Sequence, residues 1–216
     1  MIKKHSVLTG IIISAALIMV AISLYPGGTM FDEYSAGFSW SKNFMSNLFG
    51  ARALNGVENP SRIWAYAAMT LLPLTYAVFF INMSKKMPEK NAAYILTYGG
   101  IANALCTFLT VTALHDIMLI VSTTLFWTCL TVITVFILKT RLYLFKFFCV
   151  ITLLVFYYSL YVWATSDWSL MPIMQKVNFV SSTLLILGLE YFTKKEDFAH
   201  IKPRIPGTLA TAREHR

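Results

Sequence analysis

Six apolar runs, each about as long as one bilayer crossing, set the strongest limit on how this chain can fold. A hydrocarbon core of ~30 Å requires roughly 20 apolar residues in a helix, and every run meets that length. Of the 216 residues, 57% are hydrophobic and 13% are charged, more apolar surface than a soluble chain of this size can bury. The sequence therefore predicts an all-α polytopic membrane protein, a six-helix transmembrane bundle.

The predicted helices are separated by polar turns in which Gly, Pro, Asp and Lys collect. Their predicted bounds are 7–25, 63–82, 92–113, 117–138, 147–164 and 171–192. The first run is too long for the core of a secretory signal and no small-residue cleavage site follows it, so we expect a retained helix. Residues 193–216 are predicted to form a basic cytoplasmic tail, because they show no apolar periodicity.

The distribution of Lys and Arg favours one orientation of the helices, since cytoplasmic flanks carry the excess of positive charge. With the N-terminus inside, the inner flanks hold fourteen basic residues: Lys3, Lys4, Lys85, Lys86, Lys90, Lys139, Arg141, Lys146, Lys194, Lys195, Lys202, Arg204, Arg213 and Arg216. The outer flanks hold Lys42, Arg52, Arg62 and Lys176. We expect a plasma (inner) membrane protein with both termini cytoplasmic. Basic flanks favour anionic lipid headgroups, and no nucleic acid, as the partner.

The loop between the first two helices, residues 26–62, is the only long polar stretch between two such runs. It also carries many apolar side chains: Phe31, Tyr34, Phe38, Trp40, Phe44, Met45, Leu48 and Phe49. A freely solvated loop would leave that surface in water. We therefore expect a structured outer loop that folds back on the bundle, with a short interfacial helix around residues 40–49.

Polar side chains within this loop are the first candidates for a binding site. Asn43, Ser46 and Asn47 lie among aromatic residues, and each needs a hydrogen-bond partner if buried. They either satisfy the loop backbone or line an outward-facing pocket. The full set of candidate ligand-binding residues is Asn43, Ser46, Asn47, Arg52, Asn59, Arg62, Asn103, Lys176 and Asn178.

The third predicted helix carries small and polar residues along one face. Gly99, Asn103, Thr107 and Thr110 recur at helical spacing, which permits close backbone approach and hydrogen bonds between helices. The face is either a packing seam or part of a polar pathway.

His115 and Asp116 form the most reactive pair predicted on the outer face. An imidazole beside a carboxylate at the end of two transmembrane helices can accept a proton or bind a polar group. The structural alternative is that Asp116 caps the fourth helix and His115 closes the third. Asp32, Glu33 and Asp167 lie on the same predicted face and complete the candidate catalytic set.

A metal site is the third alternative for His115, and the sequence gives it little support. Zinc needs two or three further good ligands, whereas His5, His200 and His215 are predicted on the inner side. Cys106, Cys129 and Cys149 lie inside apolar runs without a CxxC spacing, so we expect buried free thiols. We predict no metal and no cofactor, and no nucleophile elbow, HExxH or phosphate loop is present.

Several short motifs resemble those of a known membrane protein family. The chain has Tyr25-Pro26 after the first helix, the segment NFMSNLFG at 43–50, Asn59-Pro60 before the second helix, and a His at the start of the fourth. This pattern resembles a bacterial family of uncharacterised six-helix membrane proteins, distantly similar to the damage-regulated autophagy modulators. Asn47 stands where relatives carry an acid, and Phe49 precedes Gly50 as an insertion. The resemblance implies the six-helix fold.

Three hypotheses for function follow. The first is a non-enzymatic protein that binds a lipid, a small molecule or a membrane subunit through the outer loop and a cavity. The alternative is a membrane-embedded enzyme or proton-coupled carrier that uses His115, Asp116 and the outer acids. The third is a purely structural subunit, either in a complex with another membrane protein or as a homo-oligomer.

Overall fold

The computed structural model describes residues 5–201 and is built from six long helices. They are α1 (Ser6–Ser23), α2 (Ser61–Ser84), α3 (Lys90–Leu109), α4 (His115–Leu138), α5 (Tyr143–Ala164) and α6 (Met171–Phe192). All six are long and apolar enough to cross a membrane, and no β-strand is found in the described range. The predicted fold class is confirmed. Lys3, Lys4 and the predicted tail beyond residue 201 lie outside the described residues.

The helix ends differ from the prediction where side chains act on the backbone. α3 stops at Leu109 rather than at 113. Thr110 donates its hydroxyl to the Thr107 carbonyl at 2.7 Å, and Thr112 donates to that of Leu109 at 2.7 Å. The backbone N–H groups of Thr110 and Thr112 donate to the same two carbonyls, so both residues form tight turns where α3 ends.

From α2 onward, successive helices are joined by short turns. Successive helices pack as antiparallel neighbours, and α2 contacts α1, α3 and α6. Small residues allow this close packing, as expected where lipid provides no hydrophobic drive between helices. Gly10 lies directly against Thr75, and Gly100 lies against Phe80. The predicted face of α3 thus packs partly through glycine, and Gly99 contacts the Cys129 thiol.

The two ends of the bundle differ in how they are closed. One end is covered by the connection between α1 and α2, residues 24–60, which we call the cap. The opposite end, which we call the base, consists of the α2–α3 and α4–α5 turns, residues 193–201 and the halves of the helices next to them. Part of the predicted tail packs there, because Phe198 and Ile201 are only 1% and 8% exposed.

Candidate functional site

The cap is held together by buried amide side chains that bond to backbone groups. Asn43 is fully buried, and its Oδ1 accepts from the Ser39 N–H at 2.8 Å while its Nδ2 donates to the Gly28 carbonyl at 2.8 Å. Gly28 has a φ of 86°, a conformation that favours glycine. The Asn43 side chain thereby joins the cap segments around Gly28 and Ser39.

Asn59 fixes the point where the cap enters α2. Its Nδ2 lies 3.4, 3.2 and 2.9 Å from the carbonyls of Asn47, Leu48 and Gly50, and its Oδ1 accepts from the Ser61 N–H. An amide that satisfies this many buried backbone groups serves the architecture of the loop.

A short 3-10 helix, Met45–Phe49, forms the inner surface of the cap. It is shorter than the predicted interfacial helix, and Trp40 lies outside it with 53% exposure. The side chain of Asn47 stabilises the start of this helix, because its Oδ1 accepts from the Phe44 N–H at 2.7 Å. Its first residue, Met45, donates its N–H to Gln175 Oε1 at 2.8 Å, so the cap is bonded to α6.

Lys176 makes the second connection between α6 and the cap. Its Nζ donates to the Asn43 carbonyl at 2.6 Å and to the Pro172 carbonyl at 2.9 Å. The ammonium also lies 5.5 Å from the centre of the Phe38 ring, within range of a cation–π contact. The Lys176 ammonium is therefore bound by carbonyl groups and an aromatic ring of the protein itself.

A cavity of about 280 Å³ lies directly beneath the 3-10 helix, between α2, α3, α4 and α6. Its walls are mainly apolar. They include the cap residues Met45, Leu48 and Phe49 and, from the helices, Ala68, Leu72, Pro73, Tyr76, Phe126, Trp127 and Phe179. Polar groups reach it from three helices: Asn103 and Thr107, Ser122 and Thr123, and Gln175, Asn178 and Ser182.

The nine candidate ligand-binding residues divide into three groups. Only Asn103 and Asn178 line the cavity, while Asn43, Asn47, Asn59 and Lys176 hold the cap as described above. The remaining three belong to the cap or its border, where Ser46 is half-buried in the 3-10 helix and the two arginines are exposed. Arg52 donates to the Gly56 carbonyl at 3.0 Å and Arg62 donates to the Tyr66 hydroxyl at 2.8 Å.

His115 is engaged with the end of α3. Its Nδ1 lies 2.6 Å from the Thr110 carbonyl, and since a carbonyl only accepts, the proton is on Nδ1. Asp116 is exposed in the first turn of α4, whose N-cap residue is Leu114 with no side-chain cap. The expectation that Asp116 caps α4 is wrong, although its carboxylate still lies at the favourable end of the helix dipole.

The other candidate acids lie in two places, Asp32 and Glu33 in the cap and Asp167 in the α5–α6 turn. Asp32 accepts from the Tyr34 N–H at 3.0 Å, and Asp167 accepts from the Ser169 hydroxyl at 2.6 Å. The Ser169 hydrogen bond lowers the pKa of Asp167. Glu33 is exposed. Within residues 5–201, no hydrogen bond joins His115 to any of these acids, and no three metal-ligating side chains come together.

Gln175 and Ser182 line the cavity but were not among the predicted site residues. A signal for both was present, because Gln175, Asn178 and Ser182 recur along one face of α6 in the same way as the polar residues of α3. The polar faces of α3 and α6 line the same cavity, and the pattern within one helix does not indicate which other helix it will face.

All three Cys are free thiols.

Comparison of the chain with protein-family models, with curated proteins and with solved structures finds no match. The resemblance to the six-helix bacterial family stays a prediction.

Proposed function

We propose that this protein binds a lipid or another small amphiphilic molecule in the cavity beneath the cap. The observation that carries this proposal is the combination of apolar walls, several converging polar groups and a hydrogen-bonded cover. Ligand pockets in proteins have this composition and run from about 300 to 1,000 Å³. The cavity, at about 280 Å³, lies just below that range and therefore suits a small ligand or part of a single chain.

The cap supports the proposal because it is built as a cover for this space. Leu48 is 1% exposed and lies in the cavity roof, and Gln175 belongs both to the cavity wall and to the bond that holds Met45. A ligand that touches Gln175 would therefore act on the cap directly. This arrangement suits a protein that holds or senses its ligand.

In this proposal the cap faces the outside of an inner membrane and both termini face the cytoplasm. The support is the positive-charge rule, which places the cap on the side with fewer basic residues. Glu58→Cys is exposed on the cap and is expected to react with a membrane-impermeant maleimide in intact cells. Reaction only after cell lysis would reverse the orientation and leave the binding proposal untouched.

The binding proposal is tested by filling the cavity. Ala68 lines it and is 2% exposed, whereas the adjacent Ala67 is exposed on the same helix. Ala68→Trp and Ala67→Trp therefore add the same bulk to the inside and the outside of the bundle. The full-length protein, purified in a mild detergent, is examined by native mass spectrometry for retained cellular lipids or small molecules.

We expect a reproducible bound mass on the wild-type protein and on Ala67→Trp, and its loss from Ala68→Trp. Circular dichroism and the thermal midpoint establish that both variants are folded. A bound mass retained equally by a folded Ala68→Trp would contradict the proposal, since the ligand would then lie elsewhere. A wild-type protein with no retained mass would also contradict it.

A further inference from the structure

A groove of about 600 Å³ lies on the lateral surface of the bundle between α5 and α6. It begins at the base, near Leu144 at the start of α5 and Phe192 at the end of α6, and it extends to Thr152 and Ser181. We call its end at the base the mouth. The groove and the cavity beneath the cap share no lining residue, so the groove is a second candidate binding surface.

Close packing of the two helices forms the floor of the groove. The Phe145 ring lies directly against Gly188, and Leu185 is 5% exposed. The sides are open, since Leu144 and Leu184 are both 64% exposed. Because α5 and α6 are long and apolar enough to span a membrane, the open side of the groove faces the lipid hydrocarbon.

The groove has the depth of one bilayer leaflet. Positions 144 and 152 on α5 are eight residues apart, a rise of about 12 Å, and half of a ~30 Å hydrocarbon core is about 15 Å. Its lining is apolar except for the side chains of Thr152 and Ser181 at the deep end, and the Ser181 hydroxyl donates to the Asn178 carbonyl at 3.2 Å. A single acyl chain has this length and polarity.

Basic side chains flank the mouth on both sides. Arg141 lies three residues before Leu144, whereas Lys194 and Lys195 follow Phe192 by two and three residues. All three basic residues are exposed. A headgroup attached to a chain in the groove would therefore lie among cationic side chains from both helix ends.

The mouth has a net positive charge even when the nearby acids are counted. Residues 139–146 contain three basic residues and no acid, and residues 194–197 contain two of each. Glu190 Oε1 accepts from Asn82 Nδ2 at 2.7 Å, so the Glu190 carboxylate is held at α2. Positive charge at the membrane surface attracts anionic lipid headgroups.

The helix ends at the mouth add to this positive potential. α5 begins there with no acidic residue in its first turn, so the positive end of its dipole is not offset. The negative end of α6 is offset, because Lys86 Nζ donates to the Leu189 and Glu190 carbonyls at 3.4 and 3.1 Å.

We propose that the groove binds one acyl chain of an anionic phospholipid from the leaflet at the base, with the lipid phosphate among Arg141, Lys194 and Lys195. Basic pockets between transmembrane helices bind anionic headgroups in this way. A second copy of the chain in the same orientation would bring the same positive charge to the mouth, and like charges repel. This site goes beyond the proposed function and does not depend on it.

The test compares two phospholipids that have the same acyl chains and differ in headgroup charge. Full-length protein, washed in detergent until it retains no phospholipid, is titrated with palmitoyl-oleoyl phosphatidylglycerol and with the corresponding phosphatidylcholine. Native mass spectrometry measures Kd. We expect phosphatidylglycerol to bind at least tenfold more tightly than phosphatidylcholine.

The position of the chain is tested by filling the groove. Leu184→Trp adds bulk inside it and is expected to weaken phosphatidylglycerol binding about tenfold or more. Val180→Trp is the matched control, since Val180 is 53% exposed one turn away on α6 and does not line the groove. Ala68→Trp fills the cavity instead and is expected to keep the wild-type Kd. Circular dichroism and the thermal midpoint establish that the variants are folded.

The position of the headgroup is tested by removing charge at the mouth. The double variant Arg141→Gln with Lys194→Gln is expected to weaken phosphatidylglycerol binding about tenfold or more, to the level of phosphatidylcholine. Lys85→Gln with Lys90→Gln removes the same charge from exposed positions near the α2–α3 turn of the base. This control is expected to retain the preference for phosphatidylglycerol.

Three results would overturn the proposal. Phosphatidylglycerol that does not bind, or that binds no more tightly than phosphatidylcholine, removes the anionic ligand. An unchanged Kd in folded Leu184→Trp places the lipid elsewhere, and equal losses in the two double variants remove the headgroup site. A lipid mass lost from Leu184→Trp and kept by Ala68→Trp belongs to the groove, whereas a ligand of the cavity shows the reverse pattern.

Discussion

The cap end and the base of the bundle are closed by different means. At the base, seven large side chains pack so tightly that they have no exposed surface: Phe79, Phe80, Met83, Ile133, Ile137, Ile186 and Leu189. At the cap end, backbone carbonyls and amides are held by Asn43, Asn59 and Gln175, and a cavity remains beneath them. One end is closed by packing and the other by hydrogen bonds.

This difference indicates where the bundle gains its stability. Tight packing supplies van der Waals contacts, which are the main source of helix association in a bilayer. A cavity forgoes part of those contacts, so its cost is offset elsewhere in the fold. The packed base therefore makes it feasible for the cap end to keep open space for a ligand.

The base also contains a charged cluster of its own. Asn82 donates to Glu190 Oε1 at 2.7 Å, and Lys86 Nζ donates to the Glu190 carbonyl at 3.1 Å and to the Thr193 hydroxyl at 3.3 Å. These bonds join α2 to the end of α6. The cap end uses neutral amides for the corresponding connection between the cap and α6, apart from Lys176.

The largest effect is expected from truncation of the packed base. Phe80→Ala removes a ring that contacts Gly100 and lies 5.2 Å from Phe79, centroid to centroid, and we expect it to lower the free energy of unfolding by about 3 kcal/mol. Phe179→Ala, in the half-buried cavity wall, is expected to lower it by about 1 kcal/mol. Denaturant unfolding in mixed micelles measures both. Equal losses would show that the two ends are packed alike.

The next effect is expected in the cap. Asn59→Ala removes the amide that donates to the carbonyls of Asn47, Leu48 and Gly50, of which the Leu48 carbonyl keeps a bond from the Ser61 hydroxyl. We expect this loss to cost about 2 kcal/mol and to open the cap while the helices persist. Hydrogen exchange of cap amides measures this local opening. Asn55→Ala removes a single 3.1 Å bond from the Val57 N–H and is the matched control. Uniform acceleration of exchange in all helices would contradict a cap that opens independently.

The fold could be predicted from the sequence because a bilayer admits only segments that satisfy their own backbone hydrogen bonds, and an apolar run of sufficient length does so as a helix. Each run had to satisfy its backbone internally, so six helices were fixed by run length and by Pro, Gly and Asp at the turns. The bounds differed by up to four residues, since α3 ends at Leu109 rather than at 113 and α5 begins at Tyr143 rather than at 147. Local turn hydrogen bonds set such helix ends, and hydropathy does not register them.

The cavity could not be predicted in the same way. Asn43, Asn59 and Asn178 look alike in the sequence, yet the first two hold loop backbone, whereas Asn178 donates to Ser159 on α5 and lies in the cavity wall. The distinction depends on which carbonyls each amide meets after the cap folds, and these come from distant segments. Phe198 was missed for the same reason, since its contacts lie on other helices.

A smaller, pH-dependent effect is expected at the base. Burial lowers the pKa of Lys86 below its ordinary value of 10.5, against the opposing pull of Glu190 and Asp197. Between the lowered pKa and 10.5 the unfolded state binds more protons, so the stability of the wild type rises with pH in that window. Lys86→Met removes this rise, and Lys85→Met, at an exposed neighbour, retains it. Thermal midpoints across alkaline pH measure the slope. A slope that survives in Lys86→Met would assign it to another group.

The smallest effect is expected at the exposed border of the cap. The Arg62 guanidinium lies 5.1 Å from the centre of the Tyr66 ring and is solvent-exposed, a geometry worth about 0.5 kcal/mol. Tyr66 is held independently, because it stacks on Phe49 at 5.9 Å and donates to the Phe49 carbonyl at 3.3 Å. Arg62→Ala should therefore change the free energy of unfolding by no more than about 0.5 kcal/mol, with the bound mass retained. A loss near that of Asn59→Ala would mean that charge at the border, and not the buried amides, closes the cap.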